Sequence, residues 1–593
     1  MPQGRAGSGP ITTPRTAEQE KFPPPEYTLL VERGPLAIVE RWLLRAGAFL
    51  LPLAFWWDTY DRYVIPKLLL ARVLVLGLLM LLALRVIVTG SLTIKRTPLD
   101  IPLLAFVASA FVSTLLADNR NVAVFGTYSR YDGFLTILMY ALLFWASVQI
   151  LGAPSPSAGG QDGSVGEARV LMRVLLAAGY VVAVIAILQS VSDSMAQGVL
   201  VPAFGTLGQK NVLGAFLAML IPLALRELVE ADSWSRRILS LNAVAIIGVA
   251  LLLTLSRSAW LGTALALVVL VAGGYRPNVR LGIALLAVVL VCGLIVGGLR
   301  LGGGVRAEQK VDELALSGDR PALWRDSIGL IASRPIFGYG PDNFGLVFPR
   351  FQTTYLGRQQ WDKAHAETLQ VAATQGLVGL AAYVFMLAAF VRAFWKGRHR
   401  DGAIAIFAAF VAYQVTLQLN FSALAASLPF WIFAAAAMAS FGATPTRSRE
   451  RAGVGAALIA TATLAALAII GTVFPYLADS RLRAAVAADV AGHSDAARTA
   501  AAEARDLAPR ESVYAVEVGN IAFERGDWEG AASAYLDAAA LGTYNPLVYR
   551  NLALAERKLS RFAEGRAAAE KAVELDRFDP ANRALLAEFR SSP

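Results

Sequence analysis

The chain has 593 residues, of which 56% are hydrophobic and only 17% charged, with a mean hydropathy of +0.53. That balance excludes an ordinary soluble globular protein and calls for lipid as the solvent. The net charge of +10 does not indicate nucleic-acid binding, because the cations sit in short loops beside apolar runs, where membrane topology accounts for them.

In chain order, the first residues are polar and proline-rich (Phe22-Pro23-Pro24-Pro25) and read as a disordered cytoplasmic leader, 1–37, with no secretory cleavage signal. Apolar runs then recur, each long enough to cross ~30 Å of hydrocarbon at ~1.5 Å per helical residue. They fall near 43–57, 68–88, 100–117, 134–151, 170–191, 212–228, 238–255, 257–274, 280–301, 370–394, 402–420, 422–441 and 454–476. The predicted class is all-α: a polytopic membrane bundle of about thirteen transmembrane helices over 38–476, followed by a helical-repeat domain over 477–593. The one cysteine, Cys292, lies inside an apolar run, which leaves no intrachain disulfide and no thiolate metal cage.

Orientation follows from the short loops. With the N-terminus inside, the inner loops collect Lys95, Arg96, Arg226, Arg236, Arg237, Arg276, Arg280, Arg392, Lys396, Arg398, Arg400, Arg447, Arg449 and Arg451. The outer ones hold only Arg62, Lys67, Arg120, Arg130, Lys210 and Arg257. The positive-inside rule then places the long connection 302–369 outside, and an odd number of spans sends the tail to the same side. This predicts a multi-pass membrane protein with a cytoplasmic N-terminus and periplasmic or extracellular repeats.

The tail is Ala-rich and charged and repeats with a period near 34. Trp528 aligns with Phe562, Ala531 with Gly565 and Pro546 with Pro580, and a weaker unit runs from about Leu482 to Pro509 with Ala497 at the packing position. This resembles tetratricopeptide repeats, which implies a protein partner held in the concave face or a spacer that stabilises the outer surface.

Four stretches at the predicted outer face carry more polar and special residues than packing requires. They are Gly126-Thr127-Tyr128-Ser129-Arg130-Tyr131-Asp132-Gly133, then Phe204 to Asn211 with Gly208-Gln209-Lys210, then Thr254-Leu255-Ser256-Arg257-Ser258-Ala259-Trp260-Leu261-Gly262. The fourth is the outer loop, with Arg320, Trp324-Arg325, Arg334-Pro335, Phe337-Gly338-Tyr339-Gly340 and Ala364-His365-Ala366-Glu367, leading into Gln375-Gly376-Leu377-Val378-Gly379. Together, over roughly 120–440, they resemble the O-antigen ligase and polymerase family of membrane glycosyltransferases. The resemblance implies a glycosyltransferase-C-like bundle that moves a glycan from a polyprenyl diphosphate carrier such as undecaprenyl diphosphate to a lipid, glycan or protein acceptor. It further implies a place in the bacterial inner membrane and an inverting reaction at its outer face that uses no metal or other cofactor. In the family the histidine is commonly followed by asparagine; here Ala366 stands in that place.

On this reading Arg257 and Arg325 meet the diphosphate, since guanidinium stays charged and offers forked donors to phosphate oxygens. Arg130, Lys210, Asn211, Arg320 and Arg334 line the donor, and His365 is the base for the acceptor hydroxyl. Each has a plainer rival. Arg257 reads also as an interfacial anchor, Arg334 as the neutraliser of a loop carboxylate such as Asp342, Trp260 and Trp324 as interfacial anchors, and Gly338 and Gly340 as tight-turn residues. His399 and His493 read as solvated. The competing function is a secondary transporter of a small anion or solute, which predicts repeated halves and ionisable groups at the bilayer midplane. The sequence shows neither clearly.

Overall fold

The computed structural model describes residues 34–89, 91–151, 162–275, 319–356, 361–442, 444–450 and 454–591. Nearly all of the predicted leader, the span 280–301 with Cys292, and the first part of the outer loop lie outside them. Every other predicted span coincides with a helix: α1 (Pro35–Leu53), α2 (Val64–Thr89), α3 (Asp100–Leu115), α4 (Phe134–Leu151), α5 (Asp162–Gln197) and α6 (Lys210–Val229). The bundle continues with α7 (Trp234–Leu253), α8 (Arg257–Ala272), then α9 (Asp319–Ser333) in the predicted outer loop, α10 (Glu367–Gly397), α11 (Ala403–Gln418), α12 (Leu424–Phe441) and α13 (Val454–Val490). Seven of the described helices are long and apolar enough to cross a membrane, and α3, α8 and α11 are shorter apolar helices. The protein is therefore a multi-pass membrane protein.

The first helix begins eight residues before the apolar run that marks it, at a Gly34-Pro35 start in which proline's fixed φ suits the first turn. Hydropathy misses these opening residues because Glu40 and Arg41 interrupt the apolar run. Glu40 is paired with Arg85, and Arg45 with Glu167, so the charges are neutralised between helices rather than exposed to lipid. The bundle closes around α12, which is buried along its whole length. Its Ala434-Ala435-Ala436-Ala437 run lets neighbouring backbones approach.

One departure from regular helix positions the functional face. In α10 the chain leaves helical geometry at Gly376 (φ 69°, ψ −170°). The exposed turn is repaired by the Phe337-Gly338-Tyr339-Gly340 segment: Tyr339 and Gly340 amides donate to the Ala373 and Thr374 carbonyls (3.1 and 2.8 Å), and Leu377 donates to Pro335 (2.7 Å). Broken backbone at membrane depth survives only when protein satisfies it, as here. A Cβ on Gly376 would lie 2.2 Å from the Ile336 oxygen, and one on Gly338 2.6 Å from that of Ala373. The glycines thus serve close backbone packing. At the opposite end of the bundle, an antiparallel ribbon pairs β1 (Ser91–Arg96) with β2 (Thr444–Glu450) inside what the sequence marks as two basic loops.

The tail is built of helix pairs: α14 (Ser494–Leu507), α15 (Ser512–Glu524), α16 (Trp528–Leu541), α17 (Pro546–Lys558), α18 (Phe562–Leu575) and α19 (Pro580–Ser591). Equivalent helices start every 34 residues, at 494, 528 and 562 and at 512, 546 and 580. Ala497 and Ala531 are fully buried at the equivalent packing position, and Gly565 lies under the Phe589 ring. The last membrane helix, α13, runs without a break past Pro475 into the first repeat. The repeats then fold back over the loops. Tyr128 donates to Asp479, Asn121 to the Arg510 and Leu541 carbonyls, Arg350 pairs with Glu574, and Tyr355 meets Phe578 edge-on.

Candidate active site

The loops between α3 and α4, between α5 and α6, between α7 and α8, and between α9 and α10 all open at one end of the bundle, where the tail also docks. Within them the chain bends sharply. Gly126, Ser129 and Tyr131 have positive φ, as do Leu255 before Arg257 and His365 itself (φ 49°). A left-handed histidine is uncommon and points to a side chain aimed for a purpose.

His365 sits edge-on between Trp361 and Phe421, with ring centroids 5.0 and 4.9 Å away. Its loop is fixed by Trp324, whose indole donates to the Ala364 carbonyl (3.1 Å), and by the Ala364 amide, which donates to Gln370 (2.8 Å). The imidazole Nδ1 is buried and has no hydrogen-bond partner among the described residues. Burial, reinforced by the nearby Arg320 and Arg130 charges, lowers its pKa to about 4, while Asp362 pulls the other way. The resting imidazole is therefore neutral at physiological pH.

The arginines approach from three sides. Arg130 lies over the Phe421 ring, 5.1 Å from its centroid, and is held by the Asp362 carboxylate. Arg320, in the first turn of α9, donates to the Leu419 carbonyl (3.0 Å). Burial and the Arg257 charge both disfavour its own positive charge. Packing sets the Arg257 turn near the end of α11. Thr416 in the last turn of α11 donates to the Ser258 carbonyl (3.4 Å), so the Arg257 turn abuts the end of the helix that carries Leu419 and leads to Phe421. Gly214 in α6 packs against Ser256 and Ala259. It lies one helical turn after Lys210 and Asn211 on the same face, so these two stand beside the Arg257 turn.

The structure thus brings Arg257, Arg320, Arg130 and His365 into one neighbourhood, with Lys210 and Asn211 at its edge. It does not bring Arg325 there. Five residues on from Arg320, Arg325 points to another side of α9, is 62% exposed and donates to Thr353 (2.7 Å). Arg334 is also elsewhere: it pairs with Asp118 (2.7 Å) and covers the Tyr339 ring. Its carboxylate partner is not Asp342, which is occupied by Lys363 (3.0 Å) and by the Thr127 amide and hydroxyl.

Sequence reasoning passed over Asp362, Phe421 and the buried Lys363, whose ammonium joins Asp132 (2.7 Å) and Asp342. Burial works against that charge, but the two carboxylates outweigh it and raise the lysine's pKa. This bridge ties the 126–133 loop, the Gly340 turn and the His365 loop together. Asp132 lay within a stretch already singled out; Lys363, a lone lysine in a polar loop, gave no signal.

Ala366 proves to be the N-cap of α10, with extended φ and ψ and no side-chain cap. Asparagine is among the best N-cap residues, which gives the family's usual amide a local structural use. Ala366→Ser, close to alanine in size, should raise stability by about 0.5–1 kcal/mol, read as a higher Tm in detergent; an unchanged or lower Tm would show that the first turn is satisfied otherwise.

Residues 242–384 match the family model described as O-antigen ligase. The chain carries an O-antigen ligase domain. The matched segment runs from within α7 through α8 and α9 into α10, and so contains Arg257, Arg320 and His365. The protein is accordingly a membrane enzyme of glycan transfer, with glycan and lipid substrates. No curated protein matches the chain. Among solved structures, the Arabidopsis OM64 TPR domain is 17% identical, covers 20% of this chain and 99% of its own, and has a TM-score of 0.20. The APC/C hetero-tetramer Cut9-Hcn1 is 12% identical, covers 77% of this chain and 78% of its own, and has a TM-score of 0.18.

Proposed function

We propose that the chain transfers or polymerises a glycan from a polyprenyl diphosphate carrier onto an acceptor hydroxyl at the outer face of the bacterial inner membrane, by a single inverting displacement. The observation that carries this reading is the buried His365 Nδ1, without a hydrogen-bond partner among the described residues, near Arg320 and Arg130. Guanidinium groups brought in from two elements suit a diphosphate, whose oxygens accept their forked donors. As the acceptor oxygen attacks the anomeric carbon, its proton passes to His365. The bond from that carbon to the diphosphate oxygen breaks, and its electron pair leaves on the polyprenyl diphosphate. Arg257 and Arg320, with Arg130 released from Asp362, stabilise that growing negative charge, the role in which preorganised donors lower barriers most. Lys210 and Asn211 steer the donor from the rim. Arg325 and Arg334 are assigned to loop structure. The division into a leader, a membrane domain over 38–476 and a repeat domain over 477–593 accompanies this proposal. So does a cytoplasmic N-terminus, with the repeats on the side of the site.

The test is to incubate the purified protein with a defined undecaprenyl diphosphate glycan and candidate lipid, glycan and protein acceptors, with and without a chelator. Product of inverted anomeric configuration that survives chelation is expected; uptake of a solute coupled to an ion gradient in vesicles, without transfer, would favour a transporter instead.

The pH dependence has a defined sign. A histidine whose pKa is depressed to about 4 stays unprotonated in the folded protein while the unfolded chain takes up its proton near 6.5. Its contribution to folding stability is therefore full above about 6.5 and is lost as pH falls towards 4. For catalysis, the acid limb of kcat/KM that reports this base should fall near pH 4. A bound diphosphate neutralises the arginines and raises the imidazole pKa, so the corresponding limb of kcat should lie at higher pH. Coincident limbs near 6.5 would contradict the geometry.

A further inference from the structure

The turns that lead into α15, α17 and α19 all meet the outer loops of the membrane domain, and they do so through the same repeat position. Arg510, Tyr544 and Phe578 each stand two residues before one of these helices, and so lie 34 residues apart. The Arg510 guanidinium covers the Phe125 ring, 5.0 Å from its centroid, and Phe578 meets the Tyr355 ring edge-on at 5.9 Å. Tyr544, between them, comes up to Gly345: a Cβ there would lie 3.5 Å from the tyrosine Cδ2 and 3.2 Å from the Asp362 Cα. Around these side chains the Asn121 amide donates to the Arg510 and Leu541 carbonyls, and Arg577 donates to the Pro349 and Arg350 carbonyls. Stacked repeats present equivalent positions at a fixed spacing along one edge. Three matched contacts in one register therefore fix that edge on the loops, which a mere spacer does not require.

The middle contact falls at the candidate site. Asp362 is the carboxylate that holds Arg130 over the Phe421 ring, and it stands three residues before His365. Its side chain is 14% exposed and that of Arg130 29%, so whatever covers them decides how much water reaches the pair. Gly345 offers no side chain for that purpose, and the Tyr544 ring closes up to its open face beside Asp362. Burial and the Asp362 and Asp342 carboxylates raise the pKa of the Tyr544 hydroxyl, so no phenolate competes with Asp362 for Arg130. An ion pair screened from water by an aromatic ring is stronger than an exposed one. We infer that Tyr544 is a positioning residue of the reaction centre, supplied by the repeat domain: its ring holds Asp362, and through it Arg130 and the His365 loop, in the geometry that transfer requires. The inference rests on the glycan-transfer reading above. It makes the tail a component of the site.

Purified full-length protein in detergent is compared with its variants by two measurements. Hydrogen exchange at the amides of 361–365 needs no substrate, and in Tyr544→Ala it should quicken by about tenfold or more as the loop opens locally. It should keep the wild-type rate in Tyr544→Phe, which retains the ring, and in Phe578→Ala, which removes only the outermost contact. With the undecaprenyl diphosphate glycan and an acceptor, Tyr544→Ala should lower kcat by about 10- to 10²-fold and leave both KM values within about twofold, the signature of reacting groups misplaced by ~1 Å. Tyr544→Phe should restore kcat. Where Tyr544→Ala does not fold, Gly345→Val takes its place: the added side chain crowds Asp362 and Tyr544, leaves the repeats untouched and should quicken the same exchange. The inference is overturned if exchange at 361–365 is unchanged in Tyr544→Ala, if Tyr544→Phe exchanges as fast as Tyr544→Ala, or if kcat is undiminished while exchange quickens. A wild-type protein that performs no transfer, with the exchange pattern as expected, sinks the transfer reading and leaves the hold of Tyr544 on the Asp362 loop standing.

Discussion

His365→Asn should lower the transfer rate by about 10²–10⁴, the usual contribution of a positioned base, while leaving membrane insertion and Tm close to wild type. Asparagine is the informative replacement. The residue sits at φ 49°, a conformation that asparagine tolerates and most residues do not, so the backbone is preserved while the titrating ring is removed. His365→Gly supplies the complementary control, because it relaxes the backbone without supplying any side chain. Both should be inactive if the imidazole acts chemically. If the His365→Asn enzyme retained a tenth or more of wild-type turnover with a defined donor and acceptor, His365 would be a structural residue held between Trp361 and Phe421 and the base would have to be sought elsewhere.

Arg320→Met and Arg257→Met should each reduce kcat/KM by about 10²–10³, the scale of losing one preorganised donor at a developing oxyanion. Lysine should rescue poorly at either place, since a point ammonium lacks the forked donors of guanidinium. Arg325→Ala should stay within about twofold of wild type, as an exposed substitution away from the site does. The pH profile adds a reading that a merely structural role would not move. Arg320 helps to hold the His365 pKa down, so in Arg320→Met the acid limb of the residual activity should move to higher pH, and in Arg325→Ala it should not. Equal losses in Arg325→Ala and Arg320→Met, with no displacement of the limb, would return the phosphate role to the outward side of α9. Because the two site arginines act on one anion, the double variant should lose less than the product of the single losses.

Much of the molecule was legible in the chain. The membrane bundle follows from apolar length alone, since a helix with no exposed backbone polarity is the one open structure that lipid accepts. The repeats follow from small residues at a period of 34, as with Ala497, Ala531 and Gly565, because two helices can pack closely only where side chains are small. The sharp turn before Arg257 and the loop ending at His365 also stood out locally. What was missed shows where local reading ends. Glu40 hid the start of α1 because its partner, Arg85, comes from another helix. Arg320 and Arg325 both looked fit for a phosphate, yet five residues of helix turn them to different sides, and which side meets Leu419 and Arg257 depends on how α9 lies on α11.

The sequence by itself determined the solvent, the helices, the repeat period and the residue types available for chemistry, because these depend on composition and near-neighbour spacing. Only the tertiary structure decided which cations share a site, what the glycines of the Gly338 turn touch, and that Tyr544 of the repeat tail comes up to Gly345 beside Asp362. Those outcomes depend on contacts between segments far apart in the chain, such as Asp132 with Lys363 or Ser258 with Thr416. Charge pairing and packing across such distances are set by the three-dimensional arrangement of whole helices, which no window of sequence contains.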